Sequence, residues 1–435
     1  MTGAAIAATL VDRGLDPAEL SAKRSLFDLV LGALTPERHS PRFAWWVPGR
    51  LEVFGKHTDY AGGRTLVCAV PRGLAVAASP RRDGSIHALD ARRGESVTLD
   101  PVGRGSEIPH QYAGWRHYVE VVARRFARNF PGVALGADVV FASDLPRAAG
   151  MSSSSALVVG VAAALVRVAE IEARSEWQAN IRGRLDAAGY YACLENGLTF
   201  GTLEGDAGVG THGGSEDHAA ILAGAPGGLS AFAFVPMRQI GAVALPDPWR
   251  FVLAPCGVPS EKTGAAQESY NRLAAGAQLL LDLWNRSESP AVSLGAAIGS
   301  SASAAERFRH LVRRSTIAGW PAAALQKRLD HFIREDARVP RALDAFLASD
   351  AVSLTHISVE SQSDAETLLG NQIPATISLA GTARELGAFA ACSFGAGFGG
   401  SVWALADREI ADGFVRRWHP GAFVAAPGPA LTELS

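Results

Sequence analysis

Four short segments concentrate the side chains able to do chemistry. In the run from Asp144 to Ala156, DLPRAAGMSSSSA, a strand end passes through small residues into four serines that open a helix. The first N–H groups of a helix are unpaired and carry partial positive charge, so such a loop can hold phosphates. Serine hydroxyls there can add hydrogen bonds or bind Mg²⁺. No Gly-Lys-Ser/Thr follows, so it is not a Walker A loop; a serine cap on an ordinary helix is the competing reading. The run from Phe394 to Gly400, FGAGFGG, lies between two strand-like stretches. Its glycines allow close backbone approach to a ligand, and a hairpin turn explains them about as well. No long helix follows it directly, which disfavours a dinucleotide fingerprint.

The other two segments carry charge. Pro48 to Gly63, PGRLEVFGKHTDYAGG, crowds Arg50, Glu52, Lys56, His57 and Asp59 at the end of an apolar strand. A solvated loop can look like this, but the flanking glycines and the density of hydrogen-bonding groups suggest recognition of a polyol. Gly208 to His218, GVGTHGGSEDH, leads into an apolar helix that Asp217 could cap. The spacing of His212 and His218 matches no helical metal-ligand pair.

Several elements must position these segments. Strands are expected at Phe43–Phe54 and Arg64–Ala78, with a polar turn at 55–63. Helical spacing runs from Trp115 to Phe130, a strand covers Ala137–Ala142, and an Ala-rich helix covers 153–171. Short strands follow around 229–235 and 250–255, then helices at 265–285, 303–315, 318–335 and 339–349, and strands at Ala391–Phe394 and Ser401–Ala406. Strands and helices mix without βα alternation, so the fold class is α+β. The division expected is 1–240 and 241–435.

Composition narrows the function. The chain has 435 residues, with 41 Lys+Arg against 43 Asp+Glu and a formal charge of −2. A nucleic-acid binder would usually show a basic surplus. Lysine occurs only at positions 23, 56, 262 and 327, which makes each one worth locating. Four scattered cysteines, Cys68, Cys193, Cys256 and Cys392, form no zinc or disulfide framework. The N-terminus lacks a basic n-region, and the longest apolar run, Ala156 to Val166, is too short for a membrane span. These points suggest a cytoplasmic protein with no membrane or nucleic-acid partner; a monomer or weak homodimer is a separate expectation that composition does not carry.

Together and in order, the four segments resemble the GHMP small-molecule kinases, and among them the galactokinases. GRLEVFGKHTDY at 49–60 resembles their GRVNLIGEHTDY. Residues 146–156 resemble the phosphate loop, 395–400 the third Gly-rich motif, and Gly210, Gly214 and Asp217 the stretch ending in the catalytic aspartate. The segment from Gln267 to Arg272 is similar to one carrying a sugar-contacting tyrosine, and WRHY at 115–118 to one whose tryptophan lies at the adenine pocket. The resemblance runs from about residue 43 to 405. It implies an N-terminal domain like ribosomal protein S5 domain 2, a C-terminal ferredoxin-like domain, and ATP and a monosaccharide meeting between them.

By that resemblance Asp217 would orient or deprotonate the anomeric C1 hydroxyl, with Arg50 beside it. Glu52, Lys56, His57, Asp59, Gly214 and Tyr270 would face the sugar. Trp115, Gly150, Met151, Ser152, Ser153, Ser154, Ser155, Gly395, Ala396 and Gly397 would hold ATP. Ser153 or Ser154 would meet Mg²⁺. The family's Mg²⁺ carboxylate falls, by counting back from Asp217, on Gly205, and a one-residue shift selects Glu204. Two departures bear on the substrate: Glu52 stands for an Asn, and Lys56 for a Glu that binds the sugar's outer hydroxyl. Either Lys56 pairs with Glu52 and galactose still binds, or Lys56 faces an anion and the substrate is a sugar acid such as galacturonate; another hexose is a further alternative. Lys262 also falls in a site segment. Smaller departures are Ala148 for a glycine and Met151 for a leucine. A sugar- and ATP-sensing regulator without turnover is the non-enzyme alternative; the presence of both Arg50 and Asp217 favours the enzyme.

Overall fold

The computed structural model describes residues 2–35, 41–100, 112–146, 149–260 and 266–434. Ala148 and Lys262 therefore lie outside the described residues. The first sheet contains β1 (Phe43–Phe54), β2 (Arg64–Pro80), β3 (Ile86–Asp90), β4 (Glu95–Leu99), β5 (Ala137–Ser143), β6 (Gly228–Ala233) and β7 (Arg238–Ala244). The second contains β8 (Trp249–Pro255), β9 (Ala390–Phe394), β10 (Ser401–Asp407) and β11 (Phe423–Val424). The last strand, β12 (Thr432–Glu433), returns to the first sheet beside β1. The strand order is β12-β1-β2-β5-β3-β4, with β6 on the start of β2 and β7 on β6; the second sheet runs β11-β8-β10-β9. Among the described residues only the β3–β5 pair is parallel.

Alternation along β1 sorts its side chains by face, as the two-residue period of a strand requires. Trp46 joins Leu10, Phe27 and Val30 from α1 (Gly3–Asp12) and α2 (Leu20–Ala33) on one face. Trp45 and Val47 join the larger core under α3 (Trp115–Asn129), α4 (Ser153–Val168), α5 (Ser175–Asn180) and α6 (Arg184–Asn196) on the other. The pairing of β1 with β2 shifts register between Pro48 and Arg50 and again between Glu52 and Phe54. Between these irregularities Leu51 and Val53 enter the core, while Arg50 and Glu52 share the opposite face.

After the short helix α7 (Glu216–Ala223), the C-terminal half adds α8 (Gln267–Ser287), α9 (Leu294–Ile298), α10 (Ala304–Arg314), α11 (Ala322–Leu347), α12 (Ala351–Asp364), α13 (Pro374–Glu385) and α14 (Arg408–Trp418). Helices α13 and α14 pack Leu379, Ala383, Phe414 and Trp418 on one face of the second sheet. On its other face Phe251, Leu253 and Trp403 meet Val339 and Phe346 of α11 and Ile357 of α12. Phe54 meets Trp403 edge-on, with centroids 5.5 Å apart, so the two sheets share one apolar core. Such a pair adds about 1 kcal/mol beyond its buried area.

The expected helices at 318–335 and 339–349 are one helix, α11, running through Pro340. A helix-interior proline removes a hydrogen bond and usually breaks the helix. Here Val339 and Ala342 are fully buried on either side of it, and Arg338 is tied to Glu335 and Asp364, so packing holds the helix together. Strands β3, β4, β7, β11 and β12 and helices α1, α2, α5, α6, α9, α12, α13 and α14 were not expected. The mostly exposed β7 (residues 238–244) has little apolar alternation to show.

Candidate active site

Arg50 is the hinge of the site. Its backbone N–H donates to the Met151 carbonyl at 3.3 Å, and its Nη1 to the Gly150 carbonyl at 2.8 Å, which fastens β1 to the loop before α4. Its Nε donates to Asp217 Oδ1 at 2.7 Å, and Glu216 Oε1 lies 3.1 Å from the same nitrogen. Burial works against the guanidinium's charge, but Asp217, Glu216 and Glu52 outweigh it and hold Arg50 protonated more firmly than usual.

Asp217 sits in the first turn of α7, where the helix dipole favours a carboxylate. Its second oxygen accepts from Ser155 Oγ at 3.2 Å, and Ser155 also donates to Glu195 Oε2 at 2.7 Å. Asp59 completes the start of α7 from another loop, its Oδ2 accepting the Glu216 N–H at 3.0 Å. That approach requires Gly214: a Cβ there would stand 2.1 Å from Asp59 Oδ2.

Two cavities meet at Arg50. The larger, about 490 Å³, is lined by Gly150, Ser152, Ser153, Ser154 and Trp115, with Ala396 at its inner end. Trp115, at the start of α3, donates from Nε1 to Glu95 at 3.2 Å and packs edge-on to Phe141 at 5.1 Å. Ser152 adopts φ +60° at the helix cap, and its buried hydroxyl has no hydrogen-bond partner among the described residues. The smaller cavity is lined by Glu52, His57, Asp59, Tyr270, Glu216 and Asp217.

Several expected residues are placed differently. Lys56 lines neither cavity. The chain turns at Gly55 (φ +104°) and His57 (φ +56°), and both the Gly55 and Lys56 N–H groups donate to Glu335 Oε1, at 3.0 and 3.3 Å. Lys56 Nζ follows them inward, 3.8 Å from Glu335, donating to Ser361 at 2.8 Å and contacting Cys392 Sγ at 3.2 Å. Burial opposes the charge on Glu335, but Lys56 and Arg338 hold its carboxyl down at about 2. Lys56 thus pairs with Glu335 rather than Glu52 and lies outside the smaller cavity. Glu52 accepts instead from the Gly395 N–H at 2.6 Å, and burial pushes its carboxyl up to about 7 against the pull of Arg50 and Lys56.

His57 reaches the smaller cavity with both ring nitrogens engaged. Nε2 lies 3.1 Å from the Ala396 carbonyl, so it carries the proton, and Nδ1 then accepts from Tyr60 OH at 2.9 Å. The side chain of Met151 is buried in the core, and Gly397 packs against Asn371. Glu204 is on the surface, paired with Arg128 at 3.2 Å and 72% exposed. The carboxylate beside the serines is Glu195, near the end of α6, with Ser154 at 3.4 Å and Ser155 at 2.7 Å. Counting back from Asp217 missed it because the loop between α6 and α7 is longer than the count assumed.

Two family models match the chain: the galactokinase galactose-binding signature over residues 37–80 and the GHMP kinases N-terminal domain over 117–190. A crystal structure of Lactococcus lactis galactokinase complexed with galactose superimposes with a TM-score of 0.71 at 22% identity, covering 90% of this chain and 95% of that one. Methanococcus jannaschii mevalonate kinase gives 0.56 at 13% identity, covering 90% and 99%. The chain has the GHMP kinase fold. Among curated relatives of that fold, the Glaesserella parasuis galactokinase is 31% identical over 118 residues, 27% of this chain and 29% of the relative. The Actinobacillus succinogenes galactokinase is 34% identical over 125 residues, 28% of this chain and 31% of the relative. The matched segment thus spans about a third of these relatives' length. Among the described residues, no helix is long and apolar enough to cross a membrane.

The donor set beside the larger cavity suits Mg²⁺, a hard cation that takes oxygen ligands and keeps several waters. Ser154 and Ser155 hydroxyls and the Glu195 carboxylate converge there, with the unpartnered Ser152 hydroxyl close by in sequence. Among the described residues no group of three or more His, Cys, Asp and Glu is arranged to hold a metal.

Proposed function

We propose that the protein is an ATP-dependent sugar kinase that phosphorylates the anomeric C1 hydroxyl of a monosaccharide, with galactose the first candidate. The observation that carries this reading is the Arg50–Asp217 pair at the junction of the two cavities, one sized for a nucleotide and the other lined by polyol-binding groups. Phosphoryl transfer needs alignment and charge neutralisation more than covalent help, and the junction supplies both.

In this reading ATP lies along the larger cavity with its phosphates over the start of α4, whose free N–H groups and serine hydroxyls suit anions. Ser154, Ser155 and Glu195 would hold Mg²⁺, which neutralises phosphate charge when bound. Asp217, held at both oxygens by Arg50 and Ser155, orients the C1 hydroxyl and takes its proton. Arg50 faces the charge that builds on the transferring group. Asp59, Tyr270 and the Gly214 backbone bind sugar hydroxyls. His57 fixes the Ala396 loop through its Nε2–H and stacks near Tyr270, with ring centroids 5.2 Å apart. The inward turn of Lys56 removes the support for a sugar-acid substrate.

The division near residue 240 is part of the proposal. The gap between β7, which ends at Ala244, and β8, which begins at Trp249, supports a boundary a few residues later, since a cut at 240 falls inside β7; β12 returns to the first sheet. Incubation with Mg-ATP and a panel of hexoses, uronic acids and amino sugars tests the activity. Galactose-dependent ADP release with a sugar 1-phosphate product is expected. Absence of sugar-dependent turnover across the panel would leave the sensing-regulator alternative in its place.

A further inference from the structure

Resting on the sugar-kinase reading, we propose that Glu52 sets which sugar is accepted: it takes a hydrogen bond from a hydroxyl or ammonium group of the acceptor and turns away a carboxylate. Glu52 is 2% exposed and lines the smaller cavity beside Asp59, Tyr270 and Asp217. Its Oε2 is committed to the Gly395 N–H at 2.6 Å. Its Oε1 is buried and has no hydrogen-bond partner among the described residues. A buried acceptor without a donor is costly, and a donor brought by a ligand removes that cost.

The charge around the cavity points the same way. Glu52, Asp59, Glu216 and Asp217 line it against a single guanidinium, Arg50, which already contacts Asp217 at 2.7 Å and Glu216 at 3.1 Å. Burial and the neighbouring Glu52 push the Glu216 carboxyl well above the usual carboxylate range, as expected of a site crowded with one sign of charge. The nearby cation Lys56 is turned inward to Glu335, Ser361 and Cys392. An ionised carboxylate only accepts hydrogen bonds. With Glu216 held toward its neutral, donating form, a uronic acid still brings a further carboxylate to a wall of Glu52, Asp59 and Asp217, whereas a neutral or amino sugar brings donors.

Calorimetric binding of D-galactose, D-galactosamine and D-galacturonate to the whole protein tests this, with wild type and Glu52→Gln compared and thermal unfolding confirming that the variant is folded. Glutamine keeps the shape and an oxygen for the Gly395 N–H. Wild type is expected to bind galactose and galactosamine at least about 10-fold more tightly than galacturonate. Glu52→Gln is expected to weaken galactosamine most, by about 10- to 100-fold, and to narrow the gap to galacturonate. Equal wild-type affinity for galactose and galacturonate overturns the proposal without reference to any variant, as does an unchanged order of affinities in folded Glu52→Gln. Phosphoryl transfer is scored separately. Binding in the expected order without transfer from Mg-ATP overturns the kinase reading and supports the role of Glu52.

Discussion

The two cavities on either side of Arg50 are built on different principles. Part of the nucleotide-sized cavity is walled by main chain and small residues, Gly150, the serines at the head of α4 and Ala396, and the rest by large side chains such as Trp115, Arg92, Arg93 and Arg116. Its recognition chemistry comes from a helix terminus, which any backbone of that shape provides. The smaller cavity is walled by charged side chains: Glu52 held by the Gly395 N–H, Asp59 by the Glu216 N–H, and Glu216 and Asp217 both by Arg50. A backbone-built wall tolerates substitutions such as Met151 for leucine, because that side chain points into the core. A wall built of side chains changes character with one residue, as the opposite fates of Glu52 and Lys56, four positions apart, demonstrate.

Asp217→Asn should break the junction of the two sides most severely. Sugar-dependent ADP release is expected to fall by about 10³-fold with nucleotide binding retained, as for loss of a group aligned on a reacting hydroxyl. A loss below 10-fold would show that Asp217 does not act on the hydroxyl. Lys56→Met strikes behind the sugar-side wall. It leaves Glu335 buried and short of a partner, so the protein should lose about 3 kcal/mol in urea unfolding while keeping its order of sugar affinities. A changed order of sugars with unaltered stability would return Lys56 to the binding surface.

The pH dependence of stability sharpens the contrast further. Glu52 is raised from 4.5 to about 7 in the folded state, so the fold binds this proton more tightly than the unfolded chain does. Its contribution is present below about pH 4.5 and is lost as pH rises through 7, amounting to about 3 kcal/mol. Comparing wild type with Glu52→Gln in urea titrations between pH 5 and 8 should isolate this slope, which the variant lacks. Smallest is Trp115→Ala on the nucleotide side: KM for ATP is expected to rise about 10-fold and KM for sugar to stay within about 2-fold. Equal effects on both would mean that Trp115 braces the fold rather than the nucleotide.

Much of this was readable beforehand where local signals suffice. Strand β1 spans Phe43–Phe54 as its pattern predicts, and α3 and α4 begin at Trp115 and Ser153 as expected. These segments carry strong periodicity next to glycine or serine boundaries. The reading failed where distant chain decides the outcome. Glu204 was chosen by counting along a loop, whereas Glu195 reaches the serines because α6 packs beside α4. Tyr60 and Arg328, which fix the backbone and ring of His57, left no local signal, since Arg328 lies 271 residues from His57.

Resemblance to a family suggested the pairing of Arg50 with Asp217; by itself, the sequence determined the α+β class and the order of the four chemical segments. Those features follow from hydrophobic period, glycine and serine placement, and residue identity, all of which are local. Only the tertiary structure decided which way the charges point. Glu335 captured Lys56 from 279 positions away, and the Gly395 N–H captured one oxygen of Glu52 from 343 positions away. A buried charge goes where its partners are, because leaving it unpaired costs more than bending the chain to meet them.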